Sequence, residues 1–164
     1  MSYKRAELAV EAFAGLPHRL LVVGEGHLAS GLRSRATGNV SFLGGVGPEE
    51  LRELYRRARA LVYPADEDFG IAMAEAQAAG TPVIGLAAGG ALDIVEPGVT
   101  GWLIERPRVE DLRAAVRRAA TEELDRSAIR SRAERFSEAR FQTEIRAAVD
   151  GLVSRWRAGD RTLR

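Results

Sequence analysis

Tyr63-Pro-Ala-Asp-Glu67-Asp-Phe-Gly70-Ile-Ala-Met-Ala-Glu75-Ala-Gln-Ala-Ala79-Gly-Thr-Pro82-Val-Ile-Gly-Leu86 reads as the end of a strand, a polar turn, a helix and a second strand. The β-rich run Ala60 to Tyr63 delivers the chain into the turn, and the helix extends over Ile71 to Ala79. Gly80 stands just past the helix end and Pro82 forbids its continuation, so the apolar run Pro82 to Leu86 begins a new strand. A strand, a helix and a strand packed into so few residues imply parallel pairing.

The same alternation extends in both directions. Further β-rich runs lie at Arg19 to Val23, Asn39 to Leu43 and Gly101 to Ile104, and helical patterns at Ala6 to Ala14, Leu28 to Arg35 and Pro48 to Ala58. Val109, Leu112, Val116 and Ala119 mark one face of another helix, and a last amphipathic stretch runs from Ser137 to Trp156. The fold expected is α/β, a Rossmann-like parallel sheet with helices on both faces. Helical pattern begins almost at Met1 with no strand before it, which suggests a piece of a longer protein. The domain is expected over residues 1–157, with 158–164 as a frayed tail.

Composition sets limits on function. The chain has 164 residues, a net charge of +1, no cysteine and two histidines, His18 and His27. Thiolate and histidine metal sites are therefore disfavoured, and interspersed charges make no case for nucleic acid as partner. No apolar run approaches the roughly 18 residues that span a bilayer. A cytoplasmic location is compatible with these features. Lys4 is the single lysine among 24 basic residues.

Glu75 needs a reason to be where it is. The segment Ile71 to Ala79 carries only Glu75 and Gln77 as polar side chains, and a helix apolar nearly all round is expected to be buried. A carboxylate buried with it requires a partner, either a ligand or the helix N-terminus. In open parallel sheets ligands bind outside the carboxyl ends of the strands, and four glycine-bearing turns are expected there. They are Gly24-Glu25-Gly26, Gly44-Gly45-Val46-Gly47, Asp68-Phe69-Gly70-Ile71 and Ala88-Gly89-Gly90-Ala91.

Two other chemistries are open to these residues. Gly24-Glu25-Gly26-His27-Leu28-Ala29 satisfies a dinucleotide-binding pattern and raises an NAD-type oxidoreductase, but the next strand ends in Phe42-Leu43-Gly44-Gly45 without the acid that would hold ribose. Asp66-Glu67-Asp68 can share a hard cation, although consecutive carboxylates in a turn are more commonly solvated.

With these residues in hand, the chain resembles the C-terminal, nucleotide-sugar-binding domain of retaining glycosyltransferases of the two-domain GT-B type, family 4. The signature is two glutamates eight positions apart, Glu67 and Glu75, followed by Ala76 to Ile84 in a family-like context. Leu21-Val-Val-Gly-Glu-Gly26, Val40-Ser-Phe-Leu-Gly44, Tyr63-Pro64, Gly89-Gly90-Ala-Leu-Asp93 and Gly98-Val-Thr-Gly-Trp102 extend the likeness over most of the chain.

The resemblance implies roles. Glu67 would accept hydrogen bonds from the donor sugar, with backbone N–H groups of Phe69, Gly70 and Ile71 near the sugar and diphosphate. Glu75 would hold the ribose hydroxyls, the backbone at Gly45 and Val46 would meet the base, and Gly24 would admit the donor closely. Lys4 resembles the family's phosphate-neutralising lysine. Asp93 stands where the family commonly has glutamate. The variant resembles bacterial mannosyltransferases using GDP-mannose in polysaccharide assembly, with UDP- or ADP-sugars open. No metal or other cofactor is implied. The implied partner is an acceptor-binding domain ahead of this one, without which the fragment would bind donor but be inactive. Any attachment to the inner membrane face would come through parts outside this chain. A non-catalytic nucleotide-binding module is the alternative.

Overall fold

A computed structural model of the chain describes residues 4–159. The elements follow as α1 (Ala6–Phe13), β1 (Leu20–Val23), α2 (Ala29–Arg35), β2 (Val40–Gly44), α3 (Pro48–Arg57), β3 (Leu61–Tyr63) and α4 (Ile71–Ala78). They continue as β4 (Val83–Leu86), α5 (Ala91–Ile94), β5 (Gly101–Ile104), α6 (Val109–Thr121) and α7 (Arg126–Ala133). A short 3-10 turn, Glu134–Phe136, then leads into α8 (Glu138–Arg157). Residues 1–3 and 160–164, which include most of the expected tail, lie outside the described residues.

Every strand pairing is parallel, as the strand–helix–strand pattern requires, and hydrogen bonds join the strands in two groups, β1–β2 and β3–β4–β5. The central strand β4 is buried along its whole length, which is why Val83-Ile-Gly-Leu86 carries no polar residue. Its side chains alternate between two cores. Ile84 and Leu86 join Val10, Phe13, Trp102, Leu112 and Val116 in the core under α1 and α6, while Val83 joins Met73, Ala76 and Ile94 in the core under α4 and α5. The first core also takes Leu20, Val22 and Phe42, so it unites both strand groups.

One element departs from the pattern read in the sequence. No helix is expected over residues 126–133, yet α7 forms there, capped by the Asp125 carboxylate accepting from the Ser127 N–H. It buries Ile129 and Ala133 and lies against α4. The side chain of Arg126 crosses to the end of α3 and donates to the carbonyls of Arg56 (2.8 Å) and Ala58 (2.6 Å). The last helix, α8, forms as expected and buries none of its residues. Its apolar row Phe141, Ile145, Val149, Leu152 and Trp156 is exposed along its length.

Candidate donor-binding site

The parallel register sets the geometry. Parallel pairing puts the loops after β1 and β2, with the first two glycine turns, on one edge of that pair, and the loops after β3 and β4, with the other two, on one edge of theirs. Lys4 is exposed just ahead of α1. The far end of that helix is tied down beside the start of β2, where the Asn39 side-chain amide donates to the carbonyls of Phe13, Leu16 and His18 at 3.0, 3.1 and 2.7 Å.

The Glu67 turn is built on the Gly89–Gly90 turn. The N–H of Gly90 donates to the Glu67 carbonyl at 2.7 Å. A Cβ on Gly90 would collide with the carbonyl of Phe69, so only glycine lets the two turns stack. Glu67 itself is half-buried, and the Tyr63 hydroxyl donates to its carboxylate at 2.6 Å. Gly70, at φ 88° and ψ 51°, turns the chain into α4 through a conformation that side chains with a Cβ avoid. This leaves Phe69 51% and Ile71 65% exposed at the mouth of the turn. The first N–H groups of α4 have no acceptor within the helix, as at any helix N-terminus.

Glu75 is not buried. It is exposed on the second turn of α4, and the buried polar side chain of that helix is Gln77, whose amide donates to the Ile94 carbonyl at 3.1 Å and the Thr100 hydroxyl at 3.0 Å. The expectation failed because the apolar residues of α4 are mostly alanines. Met73, Ala76 and Gln77 suffice to seat the helix, while Ile71, Glu75 and Ala78 remain outside.

Glu75 lines a groove of about 630 Å³ between α3, α4 and α7, with Leu51, Arg52, Tyr55 and Arg130 among its neighbours. Burial first, and the charge of Glu75 second, push the Tyr55 phenol up to about 12. The Thr81 hydroxyl donates to the Tyr55 carbonyl and fixes α3 against the end of α4.

The first two glycine turns form a cluster of their own. The N–H of Gly24 donates to the Gly44 carbonyl at 2.7 Å, and the Glu25 carboxylate lies against Gly44 and Gly45. Gly45 is exposed and Val46 half-buried. Asp93 is exposed in the first turn of α5, where its carbonyl accepts from Arg135. Among the described residues no group of three or more His, Cys, Asp or Glu side chains converges as metal ligands would.

Sequence reasoning missed Tyr55, Arg130 and Phe136 as parts of this region. Tyr55 was masked by its place in an ordinary amphipathic helix. The other two belong to α7 and the turn after it, where the Asp125 cap before Ile129 and Ala133 was the available signal.

An open α/β domain with parallel strands and helices on both faces, its Glu67 turn stacked on a glycine turn, is a Rossmann-like domain of the GT-B kind, and the groove lined by Glu75 does not include Glu67. Solved structures agree on the fold. The lipopolysaccharide outer core galactosyltransferase WaaB superposes with a TM-score of 0.80 at 18% identity, covering 91% of this chain and 45% of that one. Anabaena Alr3699/HepE, solved in complex with UDP-glucose, gives 0.76 at 24% identity over 94% of this chain and 46% of that one. Residues 1–136 match the family described as glycosyl transferases group 1, and the chain belongs to that family. Among curated relatives, a D-inositol 3-phosphate glycosyltransferase of Rhodococcus erythropolis is 37% identical over 155 residues, 87% of this chain and 34% of the relative. A GDP-mannose-dependent alpha-mannosyltransferase of Corynebacterium glutamicum is 38% identical over 127 residues, 74% of this chain and 30% of the relative. The chain thus spans about a third of the length of these curated relatives.

Proposed function

We propose that this domain binds the nucleotide-sugar donor of a retaining glycosyltransferase that transfers mannose from GDP-mannose to a saccharide or lipid-linked acceptor. The observation that carries this reading is the seating of the Glu67–Ile71 turn on Gly89–Gly90, with the Glu67 carboxylate fixed by Tyr63 and Glu75 displayed farther along the same helix. Glu67 would take hydrogen bonds from the sugar, the N–H groups at Phe69, Gly70 and Ile71 would meet sugar and diphosphate, and exposed Glu75 would accept from the ribose hydroxyls. The backbone at Gly24, Gly45 and Val46 would lie against the nucleoside.

Lys4 would neutralise charge on the leaving diphosphate, where a cation lowers the barrier to sugar departure. Catalysis would otherwise rest on positioning. No side chain is assigned as nucleophile and no metal is required in this scheme. The acceptor would be held by another domain of the full-length protein, and α8, with its exposed apolar row, offers that domain a surface. The strand expected ahead of α1 would pair along the edges that β1 and β3 leave open. The domain would then bind donor by itself without turning it over.

GDP-mannose is favoured over other donors by the Corynebacterium relative's name. Several relatives named D-inositol 3-phosphate glycosyltransferase favour a second reading for the acceptor, an inositol phosphate. Family membership displaces the NAD-type oxidoreductase.

A thermal-shift panel with GDP, UDP, ADP, GDP-mannose, UDP-glucose and NAD, with and without EDTA, tests the donor. Ligand at ten times its Kd stabilises by about 1.4 kcal/mol, a shift of a few degrees. Shifts with GDP and GDP-mannose that survive EDTA are expected. A shift with UDP compounds alone would replace the base, and one with NAD alone would overturn the reading.

A further inference from the structure

Besides the Gly89–Gly90 turn, an aromatic ring from near the end of α7 touches the Glu67–Ile71 turn. The rings of Phe69 and Phe136 meet edge to face, with centroids 5.8 Å apart and planes at 88°. Phe69 is half exposed and too open to be held by burial, so its position depends on what touches it. Below it lies the backbone of Gly90, which leaves no room for even a methyl group.

Phe136 is better anchored than the residue it touches. It packs against the core that holds Met73, Ile94 and Val95. The guanidinium of Arg135 lies 4.7 Å from its ring centroid and donates to the carbonyl of Ile94 at 3.3 Å and to that of Asp93. Ring and guanidinium together clamp the C-terminal end of α5, the helix that follows Gly90. The loop is therefore gripped from beneath by the Gly89–Gly90 turn and from the side by a ring fixed to the same short helix.

We propose that Phe136 is a positioning residue for donor-sugar recognition: its ring holds Phe69, and through it the N–H groups of Phe69, Gly70 and Ile71, in the orientation that receives the sugar and diphosphate. This rests on the donor reading of that turn. A ring serving only to fill the core would need no edge contact to a half-exposed phenylalanine. The contact acts on the sugar and diphosphate end of the donor and leaves the nucleoside end, at Glu75 and the Gly45 turn, to other elements.

The test compares the wild-type chain with Phe136→Leu, Phe69→Leu and the double variant; leucine keeps apolar bulk and removes the ring. Calorimetry with GDP and with GDP-mannose is paired with hydrogen exchange of the amides of residues 68–71. Phe136→Leu should speed exchange at 68–71 while leaving β4 protected, and should weaken GDP-mannose about fivefold, the size of one aromatic edge contact, and GDP by less, since GDP keeps the diphosphate but lacks the sugar. The double variant should be no weaker than either single one, as for two residues acting through one contact. Unchanged exchange at 68–71, a rise spread evenly over the domain, or equal weakening of GDP and GDP-mannose would overturn the role of Phe136. Wild-type chain that binds neither ligand would instead overturn the donor reading on which it rests.

Discussion

The Tyr63 hydroxyl donates a 2.6 Å hydrogen bond to the carboxylate of Glu67, the residue that ends one turn beyond β3. The phenol comes from the last position of a strand and the carboxylate from the loop it feeds, so the strand's rigidity is passed to the acid. Hydrogen bonds to charged acceptors contribute about 1.5–3 kcal/mol. Tyr63→Phe should therefore leave the fold intact and weaken GDP-mannose roughly tenfold, with a smaller effect on GDP. Glu67→Ala should show the same preference more strongly. Calorimetry in which both variants match the wild type on both ligands would remove Glu67 from the site.

Glu75→Ala should weaken GDP and GDP-mannose alike, because the ribose is common to both. Since Glu75 is exposed and makes no part of the core, the variant should melt within a degree or two of the wild type, as surface substitutions do. A large drop in melting temperature with unaltered affinity would assign Glu75 to structure and not to ligand.

Tyr55 makes the domain's stability fall at high pH. Its phenol is raised from 10.0 to about 12, by burial first and by the Glu75 charge second. Below about pH 10 both native and unfolded chains hold the proton and the contribution is fully present. As pH rises toward 12 the unfolded chain releases a proton that the native chain keeps, so stability declines. The full difference, reached only above about pH 12, corresponds to about 3 kcal/mol, and solvent screening of a partly buried phenol reduces it to about 1 kcal/mol. Urea unfolding at pH 9 and pH 11 should show about half of this loss in the wild type and none of it in Tyr55→Phe. Equal losses in the two proteins would place the alkaline transition elsewhere.

Gly90→Ala should disrupt the site and the fold together. The added methyl meets the Phe69 backbone, which can move only by lifting the Glu67 turn. Overpacking of this kind costs about 1–3 kcal/mol, or about 3–10 °C in a domain of this size. Gly38, with open space around it, is the control, and Gly38→Ala should stay within about 0.5 kcal/mol of wild type. Matching melting temperatures for the two variants would show that the stacked turns are looser than described.

The parallel strands and the glycine turns were legible because each rests on local chemistry: β-rich runs, helix stops at Gly80 and Pro82, and turns that need glycine. Glu67 and Glu75 were found by spacing, but the burial assigned to Glu75 was wrong because periodicity in an alanine-rich helix says little about which face packs. Gln77, the side chain that is buried, differs from it by no signal in the sequence. What was not legible came from distance along the chain. Phe136 reaches Phe69 across 67 positions, and the Arg126 contacts that hold α7 against α3 span 70 and 68 positions, which no local pattern reveals.

The apolar row of α8 should contribute almost nothing to the stability of this domain. Trp156 is 71% and Phe141 64% exposed, so their contacts with the rest of the fold are few. Ile145→Ser should therefore leave the urea midpoint within about 0.5 kcal/mol of wild type, whereas Ile129→Ala, which empties a fully buried site beneath α4, should cost about 2–5 kcal/mol. The proposed acceptor domain adds a second expectation: in the full-length protein the same Ile145→Ser change should become destabilising, because the row would be covered there. A substitution that is harmless in the fragment and costly in the whole would identify α8 as a surface shaped for another part of the same protein, and equal effects in both would show that the helix remains open to solvent.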